Sequence, residues 1–343
     1  MKDARDSMAL AIAGLGNQIR FALADNTIPE KLDQSFDSVE VAAMGGSALA
    51  WDVLSETMGH RLNGALRVHR DYTITRPSPD ALGIACSVSG NTEETLAAYE
   101  VMREQCRCVI AVTTGGELAR RAEADAVELI RLDLTNEPRD FQPRSSVGYL
   151  LTYGARLLQA AGFGANIVDE IEEAVIDYTN NYDGLEDRAK EAAQWINNSV
   201  PIVYSSTALF NSLARTMKIK FNENAKYPAF AGALPEVNHN EMIGFESDIG
   251  TSFRIMYISD PSDSESVSNR FFTMARLFRE RNLSHVQTRK IDLFGDTKLG
   301  RVLTGITFGD WCSYHLAMLR GVDPTPVEFI ENFKAELAHI GER

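Results

Sequence analysis

The sequence predicts two doubly wound α/β domains, each a parallel sheet between two helical layers. Three observations predict this. Short apolar runs alternate with helical patterns across short turns. The turns after two of these runs are rich in glycine and hydroxyl residues. After a helical interval the alternation begins again.

In chain order, residues 3–24 read as one helix, ended by a polar connection around Asn26, Thr27 and Pro29. A strand over 39–44 leads through a glycine turn into a helix over 48–58. Further strands are expected at 66–69, 82–87, 108–112 and 126–132, with helices over 92–105 and 117–124 between them. A long loop, 133–143, interrupts the pattern before a helix over 145–161. Residues 165–195 are helical and acidic, with a break at 180–184, and read as a connection. It joins a first domain over 1–164 to a second over 196–343. The second domain restarts with a strand at 200–204, a Ser205-Ser206-Thr207 turn and a helix over 208–222. Strands at 253–258 and 285–291 and helices at 264–281 and 304–320 follow. The shared grammar of the halves points to a duplication.

The chain has 34 Lys plus Arg and 48 Asp plus Glu, a net charge of −14. So acidic a surface repels polyphosphates, which argues against nucleic acid and anionic membranes as partners. No apolar run approaches the roughly 20 residues that span a bilayer. The N-terminal stretch carries acids and lacks a signal-type apolar core, so a cytoplasmic location is expected. Cys86, Cys106, Cys108 and Cys312 form no C-x-x-C pair and read as reduced, buried thiols.

The stretch S-V-S-G-N-T-E-E, 87–94, lies between an apolar strand and a helix. A helix start offers unpaired N–H groups and partial positive charge. Ser87, Ser89 and Thr92 add hydroxyls, and Gly90 allows the positive φ that makes N–H groups converge. The expected ligand is a phosphate group. A plain N-cap accounts for Thr92 but not for Ser87, Ser89 and Gly90. The Gly45-Gly46-Ser47 turn after the first strand is a similar device. Neither a Walker loop nor a dinucleotide fingerprint is present. Two such loops at the carboxyl ends of neighbouring strands suit a small phosphorylated molecule without a nucleotide.

A-M-G-G-S-A-L-A at 43–50 and S-V-S-G-N-T-E-E-T-L at 87–96 resemble the sugar-isomerase (SIS) domain, a flavodoxin-like three-layer αβα unit. N-E-P-R at 136–139, P-R-S-S-V-G-Y-L at 143–150, F-N-E-N-A-K at 221–226, L-P-E-V-N-H-N-E at 234–241 and V-D-P-T-P-V-E at 322–328 resemble the bifunctional phosphoglucose/phosphomannose isomerases. The resemblance runs from about residue 40 to 335. Ala43 stands where a glycine is usual, and Val88 where an aromatic is usual.

The resemblance implies interconversion of glucose 6-phosphate and mannose 6-phosphate with fructose 6-phosphate through a cis-enediol, without metal or other cofactor. It implies that Glu223 shuttles the proton, that His239 and Lys334 assist ring opening, and that Arg144 binds the enediolate. Gly46, Ser47, Ser87, Ser89 and Thr92 would hold the phosphate. It further implies a homodimer with shared sites, since His239 would come from the neighbouring subunit. Composition alone does not separate Glu223 from Glu236 or Glu241. Arg139 is a second candidate for the same anion, and Thr325 one for the border of the C2 space. Lys334 lies on a C-terminal amphipathic pattern whose stripe is Phe329, Ile330, Phe333 and Leu337. His239 and Glu241 alone make no zinc set, and H-E-x-x-H is absent.

Two other readings stay open. One is a sugar-phosphate-binding protein without turnover, though about 38 residues before the first strand leave no room for a DNA-binding domain. The other is an SIS isomerase of a different phosphosugar.

Overall fold

The computed structural model describes residues 2–32 and 34–341. The outer limits of the expected domains, residues 1 and 343, lie outside the described residues.

Helices α1 (Lys2–Ala13) and α2 (Leu15–Ala24) replace the single helix expected over 3–24. The break falls at Gly14, a residue type that, proline apart, holds helical geometry least well. The first sheet contains β1 (Ser38–Ala43), β2 (Ala65–His69), β3 (Leu82–Cys86), β4 (Cys108–Thr113) and β5 (Glu128–Arg131). Its order is β2-β1-β3-β4-β5, all parallel. Strands β1 and β3 are buried along their whole length, as central parallel strands are. The one charge inside β1, Glu40, is paired with Arg67 at 2.6 Å and His69 at 2.7 Å on the edge strand β2. Burial pushes its pKa up, but the hydrogen bonds from His69 and Arg67 outweigh this and hold it below the usual range.

Helix α3 (Gly45–Met58) follows β1, α4 (Glu93–Gln105) follows β3 and α5 (Gly116–Ala124) follows β4. Helices α4 and α5 cover one face of the sheet. The other face meets α2, α3 and α6 (Val147–Ala160).

The second sheet contains β6 (Val200–Ser206), β7 (Phe230–Leu234), β8 (Phe253–Ser259) and β9 (Val286–Asp292) in the order β7-β6-β8-β9, again parallel. Strand β7 is absent from the sequence reading. F-A-G-A-L contains no β-branched residue, and its pairing with β6 along the sheet edge is what makes it a strand. Helix α11 (Glu265–Glu280) covers one face of this sheet.

Helices α7 (Ile167–Asn180) and α8 (Leu185–Ile196) occupy the segment expected to connect the halves. They pack against α12 (Lys298–Arg320) in one core that runs from Val41 and Ile84 to Met256 and Ile258. Helix α12 starts six residues before its expected start at 304, where Thr297 accepts from Gly300 N. The Asp177 carboxylate of α7 accepts from the N–H groups of Asp296 and Thr297 and ties that start down.

The helix expected over 208–222 is three pieces: a 3-10 turn (Thr207–Leu209), a π turn (Phe210–Arg215) and α9 (Thr216–Glu223). The Glu56 carboxylate of α3 accepts from Asn211 N at 3.0 Å and Ser212 N at 2.9 Å, satisfying the freed donors of the widened turn. The short α10 (Glu241–Gly244) follows β7, and α13 (Glu328–Gly341) ends the described chain. No helix among the described residues is long and apolar enough to cross a membrane.

Candidate active site

The first sheet reverses direction at β1, which pairs with β2 on one side and β3 on the other. Open α/β sheets bind ligands in the crevice that such a reversal makes at the strands' carboxyl ends. Both hydroxyl loops lie there. The N–H of Val88 reaches Ser47 Oγ at 3.4 Å, so the loops touch. Ser87 Oγ lies 2.9 Å from Thr92 Oγ1, and Gly90 N donates to Ser87 Oγ at 3.2 Å.

Thr92 occupies the N-cap position of α4 without a side-chain cap bond. Its hydroxyl turns to Ser87 instead, and the plain N-cap is not what the structure shows. Gly90 has φ +69°, and a Cβ there would fall 1.8 Å from the Gly115 carbonyl oxygen. Ser47 and Ser87 are buried, whereas Ser89 is exposed.

Gly46 joins this crevice to Arg144, whose hydrogen bonds reach the second half. A Cβ on Gly46 would lie 2.6 Å from Arg144 Cα. Arg144 sits on a 3-10 turn, Pro143–Ser145, and is 4% exposed. Its Nε donates to Asn224 Oδ1 at 2.8 Å, Nη1 to Gln142 Oε1 at 3.1 Å, and Nη2 to the carbonyls of Pro324 and Thr325 at 2.8 Å each. Burial lowers its pKa, and the carboxylates of Glu223 and Asp310 oppose that.

Glu223 is the last residue of α9, and its Oε2 lies 3.7 Å from Arg144 Nε. The flanking asparagines do not hold its carboxylate. Asn224 holds Arg144 and donates to Ser313 Oγ, while Asn222 donates to the Tyr227 carbonyl. Glu223 opens into a cleft of about 800 Å³ with Lys226, Tyr227, Asp323, Glu328 and Phe329 on its walls.

The structure thus brings Gly46, Arg144 and Glu223 together, with Ser47, Ser87 and Thr92 along the same crevice. It does not bring His239 or Lys334 to them. His239 is exposed on a 3-10 turn (Glu236–His239) after β7. Its neighbour Glu241 accepts from the Tyr204 hydroxyl at 2.8 Å. Lys334 is on the exposed part of α13, 2.8 Å from Glu331. The apolar stripe of α13 is bare, with Phe329 88% and Phe333 61% exposed. Arg139 is exposed, and Thr325 is buried with its carbonyl on Arg144. Among the described residues, no group of three or more His, Cys, Asp or Glu is placed to hold a metal ion.

Sequence reasoning missed Lys220, Asn224 as the partner of Arg144, Asp310 and Lys226. Lys220 is 2% exposed by its side chain and pairs with Asp310 at 2.8 Å. The one signal for it was a lysine between Ile219 and Phe221 in the stretch K-I-K-F.

Residues 185–337 match the family described as the bacterial phospho-glucose isomerase C-terminal SIS domain. Over 305 residues the chain is 32% identical to the bifunctional phosphoglucose/phosphomannose isomerase of Aquifex aeolicus, covering 88% of this chain and 91% of that protein. It is also 32% identical over 234 residues to the D-glucosamine-6-phosphate 4-epimerase of Sulfolobus acidocaldarius, covering 68% of this chain and 72% of that one. The tagatose-6-phosphate ketose/aldose isomerase from Escherichia coli shares the fold, with a TM-score of 0.62 at 16% identity over 94% of this chain and 93% of that chain. With the paired parallel sheets and the hydroxyl-lined crevice, this similarity along most of both chains makes the protein a phosphosugar isomerase that belongs to the bifunctional phosphoglucose/phosphomannose isomerase family.

Proposed function

We propose that the protein interconverts glucose 6-phosphate and mannose 6-phosphate with fructose 6-phosphate through a cis-enediol, with no metal in the step. The observation that carries this is the Glu223 carboxylate 3.7 Å from a buried Arg144 that abuts Gly46 of the phosphate crevice. The 6-phosphate sits against Gly46, Ser47, Ser87, Ser89 and Thr92. Glu223 takes the proton from C2 of the open aldose, and the C–H electrons form the C1=C2 bond of the enediolate. The carbonyl electrons pass to O1, the O2 proton moves to O1, and returning the first proton to C1 as C2=O forms gives the ketose. Arg144 faces the negative oxygen that develops. Its four acceptors leave one of five guanidinium N–H groups for that contact, and such a donor is typically worth roughly 3 kcal/mol.

Glucose and mannose phosphates are C2 epimers and share one enediol, so protonation on either face serves both. Ring opening falls to His239 and Lys334. The exposure of His239 supports a homodimer in which each copy supplies this histidine to the other. A cytoplasmic location suits such a metabolite enzyme.

A coupled assay with both aldose phosphates tests the reading. Turnover of each is expected, with chelator making no difference. Glu223→Gln should abolish turnover and leave binding of 6-phosphogluconate intact. Silence of the wild-type protein on both sugars would favour a binding protein without turnover. The similarity to the 4-epimerase supports a second reading, epimerisation of glucosamine 6-phosphate, which the same assay series with that sugar separates.

A further inference from the structure

Glu223 ends α9, and helix ends fray. A base that must serve two adjacent carbons needs a fixed position, since a misplacement of about 1 Å can cost about 10²-fold in rate. The side chain of Glu223 meets Arg144 only at 3.7 Å, longer than a hydrogen bond. Arg144 alone is therefore a weak restraint on the carboxylate.

Three residues on, Lys226 has φ +51°, a left-handed conformation that residues with a side chain rarely adopt. Such a conformation is disfavoured and persists where the surroundings enforce it. Here the chain turns back on the helix end. The Lys226 ammonium donates to the Glu223 carbonyl at 2.9 Å and lies 3.5 Å from the Asn224 carbonyl. These are the last carbonyls of a helix, which lack intrahelical donors and carry partial negative charge. Lys226 also lines the cleft that Glu223 opens into, together with Asp323 and Glu328.

We propose that Lys226 is a positioning residue of the isomerisation, tying the Glu223 and Asn224 carbonyls so that the end of α9, and with it the Glu223 carboxylate, stays fixed beside Arg144. This rests on the reading of Glu223 as the proton-carrying base. The lysine at this place is not interchangeable with an ordinary helix cap, because it secures the residue that does the chemistry. Its pKa is pushed down to about 8, first by partial desolvation of a side chain that keeps solvent contact and second by Arg144, so the tie is still charged at neutral pH.

The test compares wild type with Lys226→Ala, Lys226→Met and Lys226→Arg. For the Ala and Met variants kcat should fall about 10- to 100-fold on both aldose phosphates, with KM within about two-fold. The isotope effect on substrate deuterated at C2 should grow, because proton transfer is the step that slows. Lys226→Arg should recover most of kcat. A kcat within about two-fold of wild type, or a loss carried by KM with an unchanged isotope effect, overturns the proposal. Crystal structures provide a readout that does not depend on turnover. The Glu223 carboxylate should leave its wild-type position in Lys226→Ala, and an unmoved carboxylate overturns the proposal. If the wild-type protein turns over neither sugar, the reading of Glu223 fails on its own, and the crystal comparison still decides what Lys226 holds.

Discussion

The Lys220 ammonium donates to the main-chain carbonyl of Arg144 at 2.7 Å, from a side chain that is 2% exposed. Its charge is balanced by Asp310 at 2.8 Å. Removing one partner of a buried pair leaves the other uncompensated, which typically costs about 3–5 kcal/mol. Lys220→Met should lower unfolding free energy by about that amount and also weaken turnover, because the Arg144 backbone loses its anchor. Denaturant melts of the single and the Lys220→Met/Asp310→Asn double variant measure it. The double variant should regain part of the loss, and a single-variant loss below about 1 kcal/mol would contradict the buried pair.

Gly46 and Gly45 separate crowding from strain. A Cβ on Gly46 meets the Arg144 Cα at 2.6 Å, a backbone atom that cannot step aside. One on Gly45 meets nothing within 4 Å, although its φ of +50° disfavours a side chain. Gly46→Ala should therefore lower kcat/KM by about 10²-fold by moving Arg144. Gly45→Ala should cost about 1 kcal/mol of stability and leave most of the activity. Equal kinetic losses in the two variants would refute the close approach as the cause.

Ser87 Oγ and Thr92 Oγ1 lie 2.9 Å apart, and the proposed phosphate would take hydrogen bonds from both. A hydrogen bond to a charged group contributes roughly 1.5–3 kcal/mol. Thr92→Val should raise KM for each sugar phosphate by about ten-fold or more, with the smaller change in kcat. Affinity for 6-phosphogluconate, measured by calorimetry, should fall in parallel. An unchanged affinity would place the phosphate elsewhere.

Lys226 gives the pH dependence its sign. Its folded pKa is lowered from 10.5 to about 8, so the native state binds fewer protons than the unfolded chain between those values. This group's contribution to stability therefore rises with pH across that window. Activity moves the other way, because the carbonyl tie loses its charge above about 8. Turnover of the wild type should decline there, and Lys226→Arg, whose guanidinium stays charged, should hold its rate to higher pH. Coincident alkaline limbs in the two proteins would show that another group sets the decline.

The strands and helices of the first sheet were legible in the sequence because local patterns specify them. Buried parallel strands read as apolar runs, and the hydroxyl loops read as glycine and hydroxyl residues between strand and helix. Strand β7 was not legible, because F-A-G-A-L has little preference of its own and becomes a strand by pairing with β6. The π turn at Phe210–Arg215 was not legible either, since its freed N–H groups are satisfied by Glu56, more than 150 residues away.

By itself, the sequence determined the repeated α/β grammar and the hydroxyl loops, and only the resemblance of its motifs to a known family singled out Glu223 from Glu236 and Glu241. Only the tertiary structure decided what surrounds Glu223 and Arg144. Asn224 binds the arginine and not the glutamate, Pro324 and Thr325 supply carbonyls from 180 and 181 positions away, and Lys220 and Lys226 grip the backbone on either side. The physical reason is that a buried cation takes whatever oxygens the packed chain brings to it. Residues that far apart leave no periodic trace along the chain.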